Sequence, residues 1–241
     1  MGLKDLFNFS FTDKTLSASG VLNGMTDHHS HLLPGVDDGV KTVEGAVKAL
    51  RLMEGLGVKK LYITPHVMEN FPDNNRESLT RRFEEFKTQV ETSIELNLAA
   101  EYMLDSSFEN HLKDGLMTIG ENRVLIETSY IAAPLDLDSM IFEVMAKGYV
   151  PVLAHPERYV YMVNDDYISL ASRNVKLQLN LMSLSGCYGR TVSKKAMFML
   201  DNGMYSFAGS DCHDAGAYER ILTSAKIPSK YLKLVKALLH D

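Results

Sequence analysis

The sequence predicts an α/β protein in which seven parallel strands alternate with helices and close into a (β/α) barrel. Three observations lead there. Short apolar runs alternate with amphipathic segments along most of the chain, the pattern of repeated strand–helix units and a parallel sheet. Histidines and carboxylates recur at or near the C-terminal end of six of the seven apolar runs. In a barrel those ends converge on one mouth, whereas an open sheet would spread them along an edge. The length, 241 residues, suits one undivided barrel domain.

The first run lies in residues 25–39, MTDHHSHLLPGVDDG. Side chains two apart on a strand share a face, so His29 and His31 would stand side by side with Asp27 below them. Two imidazoles on one rigid strand fix a ligand–ligand vector before any metal arrives. Alone, such a pair is more often two satisfied polar residues than half a metal site. The turn at Asp37-Asp38-Gly39 can swing a carboxylate back over it. Residues 42–57 read as a helix, with Val43, Ala46, Val47, Leu50 and Met53 at helical spacing and Gly57 as its stop. Residues 59–66, KKLYITPH, form a strand ending in His66. A polar loop (69–76) leads to a helix over 78–93 that carries Leu79, Phe83, Phe86 and Val90 on one face. Residues 96–104 form a strand bearing Glu101, followed by a short helix over 106–114. Residues 123–130 form a strand bearing Glu127, and 137–147 a helix stopped by Gly148. Residues 150–158 place His155 near a strand end, and 166–173 form a short helix. A strand over 175–183 and a helix over 191–202 precede the last strand, 206–213 (SFAGSDCH). That strand repeats the two-apart spacing with Asp211 and His213 and turns Cys212 to the opposite face. A helix over 229–240 closes the chain. Residues 1–24 form an N-terminal extension, in which Phe7, Phe9 and Phe11 alternate with polar residues as an edge strand packing on the body. Residues 25–241 form the domain itself.

Composition excludes several classes of function. The net charge of −6 and the absence of a Lys/Arg run argue against nucleic acid. Two cysteines, Cys187 and Cys212, are too few for a disulfide framework and point to a reducing cytoplasm. No apolar stretch is long enough to cross a membrane, and the N-terminus lacks the order of a signal peptide. Neither cysteine has an Arg six residues on, so thiol-based phosphatase chemistry is disfavoured.

Glu101 and Glu127 sit in otherwise apolar strands, where a carboxylate is costly unless paired or bound to a cation. His29, His31, Asp38, His66, Glu101, Glu127, His155, Asp211 and His213 are more candidate ligands than one ion needs. Two or three divalent ions would use them. The four carboxylates against three such ions leave a cluster with roughly two positive charges, suited to a phosphoryl group.

The motifs DHHSH, VDDG, TPH, AAEY, LIE, AHPERY and GSDCH, in this order, resemble the PHP (polymerase and histidinol phosphatase) superfamily. Within it they are most similar to the metal-dependent protein-tyrosine phosphatases of bacterial capsule and exopolysaccharide loci. The resemblance runs from Thr26 to about Asp214. It implies a distorted seven-stranded TIM-like barrel with a trinuclear site, the nine residues above as ligands, and Arg158 of HPERY on the phosphate. Manganese is the favoured metal, with iron or zinc as alternatives. It implies hydrolysis of phosphotyrosine by a metal-bridging hydroxide, on the tyrosine-rich tail of a bacterial tyrosine autokinase. The competing readings are another phosphoesterase of this scaffold, acting on histidinol phosphate or a nucleotide, and a non-catalytic metal-bound regulator. Arg220 is a possible second basic residue.

Overall fold

The computed structural model describes residues 14–224 and 226–240. The alternating Phe7, Phe9 and Phe11 lie outside the described residues. The elements run in the order β1 (Lys14–Thr15), α1 (Leu16–Ser19), β2 (Thr26–Asp27), α2 (Val43–Gly55), β3 (Lys60–Ile63), β4 (His66–Val67), α3 (Arg76–Lys87), β5 (Glu95–Leu98), β6 (Glu101–Met103) and α4 (Phe108–Asp114). They continue with β7 (Arg123–Glu127), α5 (Leu137–Ala146), β8 (Val150–Ala154), α6 (Asn164–Ser172), β9 (Lys176–Asn180), α7 (Arg190–Asp201), β10 (Tyr205–Gly209), α8 (Ala215–Ser224), β11 (Lys226–Ile227) and α9 (Ser229–Leu238).

Apart from the short antiparallel pair β1–β11, the described strands are parallel, as the alternation requires, but they fall into two sheets rather than one closed cylinder. Six strands run in the order β10-β9-β8-β7-β6-β4, and three in the order β2-β3-β5. The division has a local cause. Predicted strand 59–66 breaks at Thr64-Pro65, where proline has no N–H for the ladder, and its neighbour breaks at Ala99-Ala100. Each broken strand therefore gives one half to each sheet. Single bonds span the gaps: Ala99 N–H donates to Ile63 O (2.9 Å) and Glu101 N–H to Pro65 O (3.1 Å). On the other side, Ser30 and Cys212 form an isolated parallel bridge, with Asp211 N–H on His29 O (2.8 Å) and His31 N–H on Cys212 O (3.0 Å).

The sheet faces explain the near-continuous apolar runs. On β7, Val124 and Ile126 enter the large core beneath the helices, while Leu125 joins a smaller cluster with Tyr62, Ala99, Val152 and Ala154. Both faces are buried, as in a helix-covered parallel sheet. Helix α2 is capped by Thr42, whose hydroxyl accepts from Gly45 N–H, and buries Ala46, Ala49, Leu50 and Met53. Helix α3 starts at an Asn75 cap and buries Leu79, Phe83 and Phe86.

Four elements go beyond the pattern of apolar and amphipathic runs: the antiparallel pair β1–β11 and helices α1 and α8. Through β1 and the buried Leu16 of α1, residues 14–24 join the body; α1 packs on α8. No helix among the described residues is long and apolar enough to cross a membrane.

Candidate metal centre

The residues 25–39 leave regular structure earlier than their alternation predicts. Strand β2 stops at Asp27, whose Oδ1 accepts from His29 N–H (3.3 Å) and from Ser210 N–H (2.8 Å). This carboxylate is fully buried, and burial raises its pKa to about 6. It ties the start of the chain to the end of β10 and leaves His29 and His31 in an extended segment between the two sheets. There the two-apart spacing places both imidazoles on one side, their Nε2 atoms 3.0 Å apart.

The remaining donors come from strand ends. Register sets His66 of β4 opposite Glu101 of β6, and Glu127 closes β7. His155 follows β8 in a left-handed conformation (φ 35°), and Asp211 follows β10 in another (φ 52°). Such backbone is uncommon outside glycine and turns both side chains inward from strands that would otherwise carry them past. Gly209 and Gly39 are glycines for want of space: a Cβ at Gly209 would lie 2.6 Å from His29 Cβ, and one at Gly39 would meet the His31 carbonyl oxygen.

All nine sequence-derived donors gather here. Glu101, wholly buried, is the hub: its Oε2 lies 3.1 Å from His29 Nε2, 3.3 Å from His31 Nε2 and 3.2 Å from His66 Nδ1, and its Oε1 lies 3.1 Å from His155 Nε2. Asp211 Oδ1 is 3.4 Å from His31 Nε2 and from His213 Nδ1. Asp38, more exposed, approaches His66 Nε2 (3.4 Å) and His213 Nε2 (3.3 Å). Four overlapping groups have ligand atoms within 4.8 Å of one another: His31/Asp38/His66/His213, His29/Glu101/His155, His29/His31/Asp211 and His66/Glu101/Glu127.

The donors fit cations better than they fit each other. His66 Nδ1 and Glu127 Oε1 are 2.8 Å apart, yet neither has a hydrogen-bond partner among the described residues; the same holds for Glu101 Oε1 beside His155. Donor atoms this close with no hydrogen bond between them are what a shared ion would satisfy, and a mixed His/carboxylate set suits divalent transition metals. The local field is correspondingly strong. Burial pushes the Glu101 pKa up, but His29, His155 and His31 hold it well below the usual carboxylate range. His213 and then His66 hold Asp38 down. Burial and His31 pull His66 down, yet the nearby carboxylates of Asp38, Glu127 and Glu101 raise it to about 10.

A cavity of about 460 Å³ opens over this cluster, lined among others by Met68, Met103, Tyr130, Arg158, Met182 and Tyr188. Arg158 Nη1 donates to Asp211 Oδ2 (2.7 Å), and its guanidinium carbon lies over the ring of Tyr130 (4.5 Å) and that of Tyr188 (4.4 Å). Arg220 is exposed on α8 and does not line the cavity. Cys212 is buried and burial drives its thiol pKa up; Cys187 is shifted the same way.

Beyond the nine donors and Arg158, four further residues support the centre. Asp37 Oδ2 meets His31 Nδ1 (2.8 Å), and Gln178 Oε1 meets His29 Nδ1 (2.8 Å), so the outer nitrogen of each imidazole is fixed. Asn180 Nδ2 donates to Asp211 Oδ2 (2.8 Å), and Tyr188 covers Arg158. Gln178 and Asn180 alternate in the apolar strand KLQLN, the same signal that exposed Glu101 and Glu127.

The family model for capsular polysaccharide synthesis, CpsB/CapC, matches residues 25–230. CapC of Staphylococcus aureus is 29% identical over 196 residues, covering 78% of this chain and 77% of that protein. The tyrosine-protein phosphatase YwqE of Bacillus subtilis is 26% identical over 202 residues, covering 79% and 78%. Among solved structures, one described as YwqE from Bacillus subtilis and CpsB from Streptococcus pneumoniae, metal-dependent tyrosine phosphatases, superposes with a TM-score of 0.73 at 19% identity. It covers 90% of this chain and 96% of that one.

Proposed function

Because the chain belongs to the CpsB/CapC family of capsular polysaccharide synthesis, we propose that it is a metal-dependent protein-tyrosine phosphatase. The observation that carries this reading is the nine-donor cluster at the floor of a cavity whose wall presents Arg158. His29, His31, Asp38, His66, Glu101, Glu127, His155, Asp211 and His213 would hold two or three divalent ions, manganese favoured, with Glu101 shared between two of the donor groups. When bound, such ions supply a nucleophile at neutral pH by lowering the pKa of water, and neutralise phosphoryl charge.

The chain's own residues do the rest. Arg158 offers a planar fork of donors to phosphate oxygens, stronger where charge accumulates in the transition state. Asp211 and the two tyrosine rings hold that fork at the cavity. Met68, Met103 and Met182 give the wall an adaptable apolar surface for an aromatic ring. Asp37 and Gln178 keep the imidazoles of His31 and His29 in one orientation. A phenolate leaves readily enough that little help from a general acid is needed.

Residues 25–241 act in this reading as one phosphatase domain with residues 14–24 of the N-terminal extension packed on it, in the cytoplasm, on a phosphotyrosine protein such as the tyrosine-rich tail of a capsule-type autokinase. A distorted seven-stranded barrel is the architecture it implies. Supporting that are the shared strands on one side of the two sheets and the Ser30–Cys212 bridge on the other. The test is a panel of phosphotyrosine peptide, phosphoserine peptide, histidinol phosphate and nucleotide, with manganese added. Selective hydrolysis of phosphotyrosine, abolished by a chelator and spared by thiol alkylation, is expected. Equal rates on every ester would remove the tyrosine assignment, and sensitivity to alkylation alone would remove the metal mechanism.

A further inference from the structure

Asn180, the last residue of β9, stands where three separate supports of the cavity meet. Its Oδ1 accepts from Met182 N–H (2.9 Å), which fixes the amide so that Nδ2 turns the other way. Nδ2 donates to Asp211 Oδ2 (2.8 Å) and reaches the Tyr188 phenol oxygen (3.3 Å). Its backbone N–H donates to Glu157 Oε1 (3.0 Å), and the other oxygen of this buried carboxylate accepts from the Tyr205 hydroxyl (2.9 Å).

The carboxylate of Asp211 is thereby divided. Oδ1 faces His29, His31 and His213, while Oδ2 accepts from both Arg158 and Asn180. Tyr188, tethered to the same amide, is one of the two rings that cover the Arg158 guanidinium. One planar cation is thus held by Asp211 and packed over the rings of Tyr130 and Tyr188. Two of those three contacts depend on Asn180.

Resting on the phosphatase reading above, we propose that Asn180 is a positioning residue for the reaction, aiming Arg158 at the phosphoryl group through Asp211 and Tyr188. The rival explanation is a plain cap, since its Oδ1 also ends the strand by binding Met182 N–H.

Asn180→Ser separates the two roles. Serine keeps a capping oxygen but is too short to reach Asp211 and Tyr188. On the manganese-loaded protein, Asn180→Ser is expected to lose roughly 10-fold in kcat/KM on a phosphotyrosine peptide, the usual scale for residues that orient a site. Inorganic phosphate, measured by calorimetry, should bind correspondingly more weakly, with metal content unchanged. In an Arg158→Ala background the same substitution should cost less than about twofold, because residues acting as one unit are not additive. Tyr188→Leu carries the same expectation through the ring and serves if Asn180→Ser fails to fold. Equal losses with and without Arg158, wild-type behaviour of Asn180→Ser, or loss of metal would each overturn the proposal. A wild-type protein that hydrolyses no phosphomonoester would instead defeat the underlying reading, and the phosphate calorimetry would still score the coupling.

Discussion

Arg158 shows how much of a functional side chain is decided by what leans on it. Its charge is paired by Asp211, and its guanidinium packs over two tyrosine rings. Arg158→Ala is expected to lower kcat/KM on phosphotyrosine on the order of 100-fold, as for loss of one transition-state donor, with metal content intact. Arg158→Lys should restore only part of this, since an ammonium neither forks nor stacks. Metal loss in the alanine variant would make the arginine a structural element instead. The ligands themselves were legible because a carboxylate inside an apolar run is conspicuous: Glu101 and Glu127 announce themselves. Gln178 and Asn180 occupy equivalent places in β9 but carry no charge, and uncharged amides pass more easily for ordinary polar residues. The pairing of Tyr130 and Tyr188 was not legible at all. They lie 58 positions apart, 188 less 130, on segments whose loops set their approach.

At the scale of elements, alternation of apolar and amphipathic runs placed all seven strand regions and most helices. It did not show where strands would break. KKLYITPH reads as one run, yet Pro65 interrupts its ladder and leaves β4 as two residues. Helix α8 was hidden between a strand end rich in donors and the closing helix. The end of β10 matters most for the centre, because Gly209 packs directly against His29. Gly209→Ala is expected to destabilise the fold by about 1–3 kcal/mol through overpacking. It should also lower metal content, since His29 is the nearest group that can give way. A variant with wild-type melting temperature and full metal occupancy would contradict this account of the glycine.

Across the whole molecule the centre is also a knot of charge, so its occupancy and the fold should be linked. In metal-stripped protein the His66 pKa, raised to about 10, makes its imidazolium a stabilising group. The sign follows from linkage: a raised pKa contributes fully below the ordinary histidine value of about 6.5 and is lost as pH rises through the folded-state value. Stripped protein should therefore melt at progressively lower temperature from about pH 7 to about pH 10, whereas metal-loaded protein should melt higher throughout. A stripped protein that gains stability over that interval would refute the assignment. The seam at Ser30 and Cys212 has one more consequence, for the order in which the molecule matures. His29 and His31 leave the ribosome well before Asp211 and His213, which complete two of the donor groups. Before that a nascent chain can offer an ion only part of the donor set; the full grip arrives when these two distant segments zip together, so complete cofactor loading waits until the Asp211 segment has been made.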